Sequence, residues 1–199
     1  GQVGRMAVAS QDGVVRPLAE RLAPWLVERT RMLPVDLAFD QVRLTGRLAG
    51  VSSAGLVDYR LAEAGPADWV RLWVRHLVLN CVASADIGRE SRLFAQQEDI
   101  VLGPLEDAAG LLSALTDAYW RGLHHPLHFF PRSGLRYVDA KSNNDAAARR
   151  EWEGSDFSRG EGANPYYELA FRGSDPLDDA FRALARQVFE PFLAHREKL

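Results

Sequence analysis

Residues 46–60, Gly46-Arg47-Leu48-Ala49-Gly50-Val51-Ser52-Ser53-Ala54-Gly55-Leu56-Val57-Asp58-Tyr59-Arg60, read as two strands joined by a tight turn. Val42 to Leu48 alternates and carries β-formers, and so does Val35 to Phe39 before it, giving two strands or one bent hairpin. Ser52-Ser53-Ala54-Gly55 supplies the turn, and Gly55 to Leu61 is the next strand, stopped by Gly65-Pro66. This second strand ends on an acid, a spacer and a cation.

Divalent-metal phosphodiester cleavage needs oxygen ligands for the ion and a positive group near the attacking water. A strand, a turn and a strand ending in Asp-x-Lys supply both in one large class of nucleases. Here Asp58 is present, but Ala49 stands where another acidic ligand would fall and Arg60 replaces the lysine. Ala49 offers no ligand, and one carboxylate leaves an ion mostly hydrated. Arg60 keeps its charge but cannot deprotonate, so it cannot act as a base. The residues predict the shape of a nuclease without its chemistry, with Asp58 and Arg60 forming a salt-bridged strand end.

The helices around this frame follow from period 3.6. Residues 16–30 carry Leu18, Leu22, Trp25 and Leu26 on one face, with Pro24 expected to kink the helix. Ala67 to Val82 carries Val70, Trp73, Val74, Leu77, Val78 and Cys81, a stripe wide enough to pack hard against a sheet. Ser91–Phe94 and Asp99–Leu102 read as short strands. Gly103-Pro104 opens a helix with Glu106 and Asp107 in its first turn, a face of Ala108, Leu112, Leu115 and Tyr119, and a stop at Gly122. Residues 139–163 form a polar stretch around a short helix ending near Trp152, the expected exposed or partner-facing region. The last helix is expected to have Asp175 as N-cap, Pro176 at its first position and Asp178 three residues on. Its buried face is Leu177, Phe181, Leu184, Val188 and Phe192, with Pro191 bending the end. This order predicts an α/β fold with a central mixed sheet flanked by helices, in a single domain spanning 1–199.

At 199 residues and 47% hydrophobic, the chain can bury one sizeable core. A net charge of −3 excludes a global positive field, so any DNA contact must be local or supported by a partner. The single Cys81 cannot form an internal disulfide, which fits a reducing compartment. No apolar run approaches the roughly 18–20 residues of a membrane span. Gly1-Gln2-Val3-Gly4 begins without Met and reads as part of a longer subunit.

Other motifs carry less. His124, His125 and His128 suggest zinc, but Pro126 breaks a helical register and no Cys lies nearby, so a loop of exposed or partly stacked histidines is expected. His76 reads as a hydrogen-bonded histidine at the core's edge. Gly160-Glu161-Gly162 lacks the preceding strand and third glycine of a dinucleotide loop, and puts a carboxylate where phosphate should go. Arg71 and Arg75 lie one turn apart on the polar side of the 67–82 helix and could touch a phosphate backbone, or form a solvated face with Asp68 supporting Arg71. Arg149 and Arg150 beside Trp152 pair charge with a ring, as single-strand binders do, although a short helix burying Trp152 fits the same residues.

An ordered set of short matches runs from about residue 42 to the C terminus. It comprises Arg43-Leu44-Thr45-Gly46, Leu72-Trp73 with His76-Leu77-Val78, Ser91-Arg92-Leu93-Phe94, and Tyr119-x-x-Gly122 leading to Pro126-Leu127. Pro131-x-Ser133-Gly134, Arg159-Gly160-Glu161-Gly162 and Phe189-x-Pro191 complete it. With these residues the chain resembles the C-terminal domains of RecC, the gamma subunit of exodeoxyribonuclease V (RecBCD). That resemblance implies a restriction-endonuclease-like (PD-(D/E)XK) core that has lost its active site. Active relatives often carry Gln-x-x-x-Tyr on the helix after the Asp-x-Lys strand, where Arg71 and Arg75 stand here. It implies a non-catalytic, cytoplasmic role in double-strand break repair and recombination. RecB- and RecD-like subunits would be partners, forked or single-stranded DNA would pass nearby, and ATP and Mg would sit only on the partner subunits. The rival reading is an active nuclease with Asp36 or Asp40 as relocated ligand; a second rival is a scaffold that never touches DNA.

Overall fold

Pro34 marks β1 (Arg31–Ala38) as a strand that cannot donate along its whole length, and β1 lies at the edge of the sheet. The computed structural model describes residue 13 and residues 15–197; Gly1-Gln2-Val3-Gly4 and Lys198 lie outside the described residues. Next come β2 (Arg43–Ser52) and β3 (Gly55–Tyr59), then a helix, α2 (Pro66–Val82), and strands β4 (Ser91–Phe94) and β5 (Asp99–Leu102). A last short strand, β8 (Arg196–Glu197), completes a six-stranded sheet in the order β1-β2-β3-β4-β5-β8. Neighbours are antiparallel except β3 and β4, which are parallel and joined through α2. The fold is therefore α/β with a mixed central sheet, and its helix–three strands–helix–strand order is compatible with a nuclease-like core.

One face of the sheet is covered by α1 (residues 15–22), whose Leu18 and Leu22 pack on Val57 and Phe94. The other face carries the main core. There Leu72, Trp73, Leu77 and Leu79 of α2 meet Val51, Leu56, Ile100 and Leu102 of the sheet. Also joining it are Leu112 of α3 (Ala108–Gly122) and Val188, Phe189 and Phe192 of α7 (Asp179–His195). A second cluster forms beyond the sheet from α4 (Pro131–Asp139), α5 (Asn144–Glu153) and the first half of α7, with Phe130 at its centre. A two-residue-stranded hairpin, β6 (Gly154–Ser155) and β7 (Ser158–Arg159), and a short α6 (Pro165–Ala170) connect α5 to α7.

Several boundaries depart from the sequence expectations. The 16–30 helix is not kinked at Pro24 but ends there: α1 stops at 22, a 3-10 turn spans Ala23–Trp25, and Leu26 is exposed. Pro24 has no N–H to continue the ladder, and its ring clashes with the preceding turn. The α3 helix starts at Ala108, not after Pro104, because Asp107 caps it by accepting from Gly110 N at 3.1 Å. Tyr119 is 61% exposed rather than part of the buried face, where Thr116 and Ala118 stand instead. The N-cap of α7 is Asp178, which accepts from Phe181 N at 3.0 Å, and not Asp175. Asp175 instead holds the turn before it, accepting from Leu177 N at 3.1 Å.

Candidate functional site

The Gly46–Arg60 frame is built around a bulge. Arg31 pairs with Val51 and Leu33 with Leu48, so Ala49 and Gly50 together face the single Met32. Gly50 takes φ +79°, and a Cβ there would stand 2.9 Å from the Val57 carbonyl oxygen. Only glycine fits both demands. The bulge lies just before the Val51–Leu56 pair of β2 with β3.

The Ala49 carbonyl at the bulge accepts from an arginine of the facing helix. Arg75 Nη2 donates to Ala49 O at 2.7 Å, and Arg75 Nη1 donates to Asp58 Oδ2 in a close ion pair. A guanidinium thus bridges the carboxylate of β3 and the backbone of the bulge, and both side chains are largely buried. The expectation that Asp58 pairs with Arg60 is corrected: the strand brings them to one side, but α2 supplies nearer partners. Arg60 Nη1 donates instead to Asp68 Oδ1 at 2.7 Å, and Arg71 Nη2 donates to the same oxygen at 3.0 Å. The other Asp68 oxygen accepts from Gly65 N at 3.0 Å, tying off the start of α2. A small cleft opens here, lined by Asp58, Tyr59, Arg60, Asp68, Arg71 and Leu93.

Among the described residues no three His, Cys, Asp or Glu side chains form a group that could hold a metal ion. Asp36 is occupied on the edge hairpin, gripped by Arg43 through two hydrogen bonds of 2.7 Å. Those bonds hold its carboxyl below the usual carboxylate range. Asp40 lies in the turn between β1 and β2. The histidines are dispersed. His124 Nδ1 lies 2.9 Å from Trp120 O, His128 Nδ1 lies 2.9 Å from Asp178 Oδ1, and His125 is exposed.

His76 sits deeper than the core's edge, fully buried, with Nδ1 2.8 Å from Ser91 Oγ and its ring stacked on Trp73. Burial pushes its imidazole down to about 4, so it stays neutral.

The 139–163 stretch is only partly open. Arg149 grips Asp175 through two hydrogen bonds of 3.0 and 2.5 Å. Trp152 is half-buried, stacked on Tyr167 at 5.9 Å between centroids and tilted against Phe130 at 4.4 Å. Arg150 remains exposed beside Arg136, Ser142 and Asn143. Sequence reading missed the role of Glu161. It is buried and accepts from Arg132 N at 3.0 Å and Ser133 N at 2.7 Å, so a carboxylate sits on the N-terminus of α4. The anion that Gly160-Glu161-Gly162 would leave room for in a dinucleotide loop is supplied by the chain itself.

The RecC C-terminal domain family profile matches residues 1–142. The chain belongs to the RecC C-terminal domain family. This RecC-family domain is 29% identical over 194 residues to the RecBCD enzyme subunit RecC of Escherichia coli (strain K12). The match takes in 88% of the chain and 17% of that protein, so the chain spans about a sixth of its relative's length. No helix among the described residues is long and apolar enough to cross a membrane.

Proposed function

We propose that this RecC-family domain is a non-catalytic DNA-guiding and subunit-docking module of a RecBCD-type helicase-nuclease acting in the cytoplasm on double-strand breaks. The observation that carries the non-catalytic part is the guanidinium of Arg75 between Asp58 and the Ala49 carbonyl. An active nuclease of this frame would hold its divalent ion between the acid of the second strand and a ligand on the bulge. Here the Arg75 guanidinium pairs with the Asp58 carboxylate and donates to the Ala49 carbonyl, the two groups such an ion would use. RecB- and RecD-like subunits are the partners in this reading, and ATP and Mg belong to them. Among the expected DNA contacts, Arg71 and Arg150 project outward, whereas Arg75 and Arg149 are spent on Asp58 and Asp175 and Trp152 is packed between rings.

Incubation of the chain with single-stranded DNA and Mg²⁺ or Mn²⁺ tests the reading. No cleavage is expected, and calorimetry should detect no tight divalent site. Metal-dependent cutting that Asp58→Ala abolishes would establish the active-nuclease alternative instead.

A further inference from the structure

We propose that the inner edge of β2, from Arg43 to Arg47, takes up an extended protein segment as an added strand, acidic on one face and apolar on the other. The inference rests on the subunit-docking reading above and names the surface and the mode for it.

The pairing of the β1–β2 hairpin fixes which backbone groups are available. Phe39 N donates to Val42 O at 2.8 Å across the turn, so the hydrogen-bonded pairs alternate from there. Leu37–Leu44, Val35–Gly46 and Leu33–Leu48 face each other through those bonds. The pairs between them, Ala38–Arg43, Asp36–Thr45 and Pro34–Arg47, turn their backbone polar groups outward. Pro34, which has no N–H, sits in one of these outward pairs.

On β2 the outward groups of Arg43, Thr45 and Arg47 lie on the side of β3. Yet β3 pairs with β2 only at Val51–Leu56 and Ser52–Gly55. Among the described residues, no hydrogen bond reaches the backbone of Arg43, Thr45 or Arg47. Thr45, Gly46 and Arg47 are exposed, and a Cβ on Gly46 would meet nothing within 4 Å. Further along, Ala49 O accepts from Arg75 Nη2 at 2.7 Å, so a donor already approaches the strand near this edge. Donors and acceptors thus stand open at the two-residue period of a strand. Pro34 and Asp36 blunt the outer edge of β1, whereas the inner edge of β2 has no proline or bulge over residues 43–47.

The side chains select the occupant. Arg43, Thr45 and Arg47 point to one face of the hairpin, and Leu44 and Leu48 to the other, where they join the main core. Arg43 shares its charge with Asp36, but Arg47 makes no ion pair among the described residues. A strand laid along this edge therefore meets cations on one face and apolar side chains on the other. A second copy of the chain suits it poorly: antiparallel pairing about Thr45 sets Arg43 of each copy opposite Arg47 of the other, and like charges so placed repel. Carboxylates at alternate positions make the same contacts attractive. A nucleic acid would answer the arginines but not the row of backbone N–H groups.

The test is residue-resolved amide exchange of the full chain by NMR, with and without the acetylated, amidated peptide Ser-Val-Glu-Val-Glu-Val-Ser. Alone, the Arg43, Thr45 and Arg47 amides should exchange fast, while those of Leu44, Gly46 and Leu48 are protected by β1. The peptide should slow the first set about tenfold or more, and its Lys-for-Glu version should bind about tenfold more weakly. Arg47→Glu should reverse the preference between the two peptides. Thr45→Pro removes an outward N–H without touching the β1 ladder, so it should weaken binding about tenfold and leave the thermal midpoint nearly unchanged. Arg47→Glu leaves the backbone alone and keeps the test open if Thr45→Pro disturbs the strand. Equal binding of the two peptides, or binding that leaves these amides fast, would overturn the added strand. Protection that rises with protein concentration and needs no peptide would give the edge to a second copy instead. Oligodeoxythymidylate that shifts these residues where the peptide does not would reassign the arginines to nucleic acid. In the complex with the partner subunits, exchange mass spectrometry should find residues 43–47 protected without peptide. A complex that both variants leave intact and equally tight would overturn this surface while the docking reading stands. No association of the wild type with the partner subunits would overturn both.

Discussion

Arg75 ties the bulge of β2 to the end of β3 through a single guanidinium. The Ala49 carbonyl takes a donor and the Asp58 carboxylate a cation, and a guanidinium with a planar fork serves both at once. Arg75→Ala should cost about 1–2 kcal/mol in urea denaturation, less than a fully buried pair because solvent still reaches both groups. Asp58→Ala/Arg75→Ala should recover part of that loss, since no carboxylate is then stranded. A double-mutant cycle with zero coupling would show the pair to be incidental. His76 is a second residue whose neighbourhood fixes its behaviour. Unfolded, it titrates near 6.5. Folded, it titrates at about 4 because burial penalises the charged ring. The folded state therefore binds fewer protons between these values, so its stability is complete above pH 6.5 and falls as pH drops toward 4. The loss should approach about 3 kcal/mol and then level off. Chemical denaturation across this range checks it: His76→Gln should be less stable at neutral pH but nearly flat through the window. The carboxylates held low by partners, Asp86 and Asp175 among them, lose their contributions further down, below the ordinary aspartate range.

Elements were legible where their signal is local. The strands around Val42–Leu48 and at Ser91–Phe94 and Asp99–Leu102, and the apolar stripe of α2, come from alternation and period alone, and the structure places them within a few residues. What failed was competition between neighbouring signals. Asp175-Pro176 looks like a helix start, yet Asp178 wins the cap because the chain needs Leu177 and Phe181 on the same cluster, and Asp175 is drawn to Arg149. Partners across the chain were beyond reach: Asp58 meets Arg75 over 17 residues, and Glu161 meets Ser133 over 28. That second contact also explains why the Pro131-x-Ser133-Gly134 and Gly160-Glu161-Gly162 signatures belong together. Gly134 lets α4 approach α7, since a Cβ would stand 3.2 Å from the Phe189 ring. Gly162 accommodates Trp152, which a Cβ would meet at 2.5 Å. Both glycines bring elements close around the helix end that Glu161 caps. Glu161→Ala should lower stability by about 2–3 kcal/mol, leaving two N–H groups, the Ser133 one buried, and the dipole unanswered. In a thermal melt this is a drop of about 5–10 °C. Glu161→Gln keeps an acceptor and should lose less than half as much.

At the scale of the whole molecule, α7 decides whether the sheet layer and the outer cluster behave as one body. Its first half gives Phe181 and Ala185 to the cluster around Phe130, and its second half gives Val188, Phe189 and Phe192 to the sheet core. A rigid helix shared between two cores couples them, because neither can lose its share of the helix without exposing the other's apolar residues. Phe181 is fully buried, stacked on Phe130 at 6.1 Å and set edge-on to Tyr137 at 5.7 Å. Phe181→Ala therefore removes ring contacts from the outer cluster alone, at a cost of about 3–5 kcal/mol. If the chain is one cooperative unit, that loss should lower the denaturation midpoint equally for far-ultraviolet circular dichroism and for hydrogen exchange at β4 and β5, which lie in the sheet. Separate midpoints, with β4 and β5 protected after the outer cluster has opened, would mean that residues 130–185 form a detachable cap on the sheet. In that case the partner-facing role expected of residues 139–163 would belong to a unit able to open without disturbing the Asp58–Arg75 pair at the sheet.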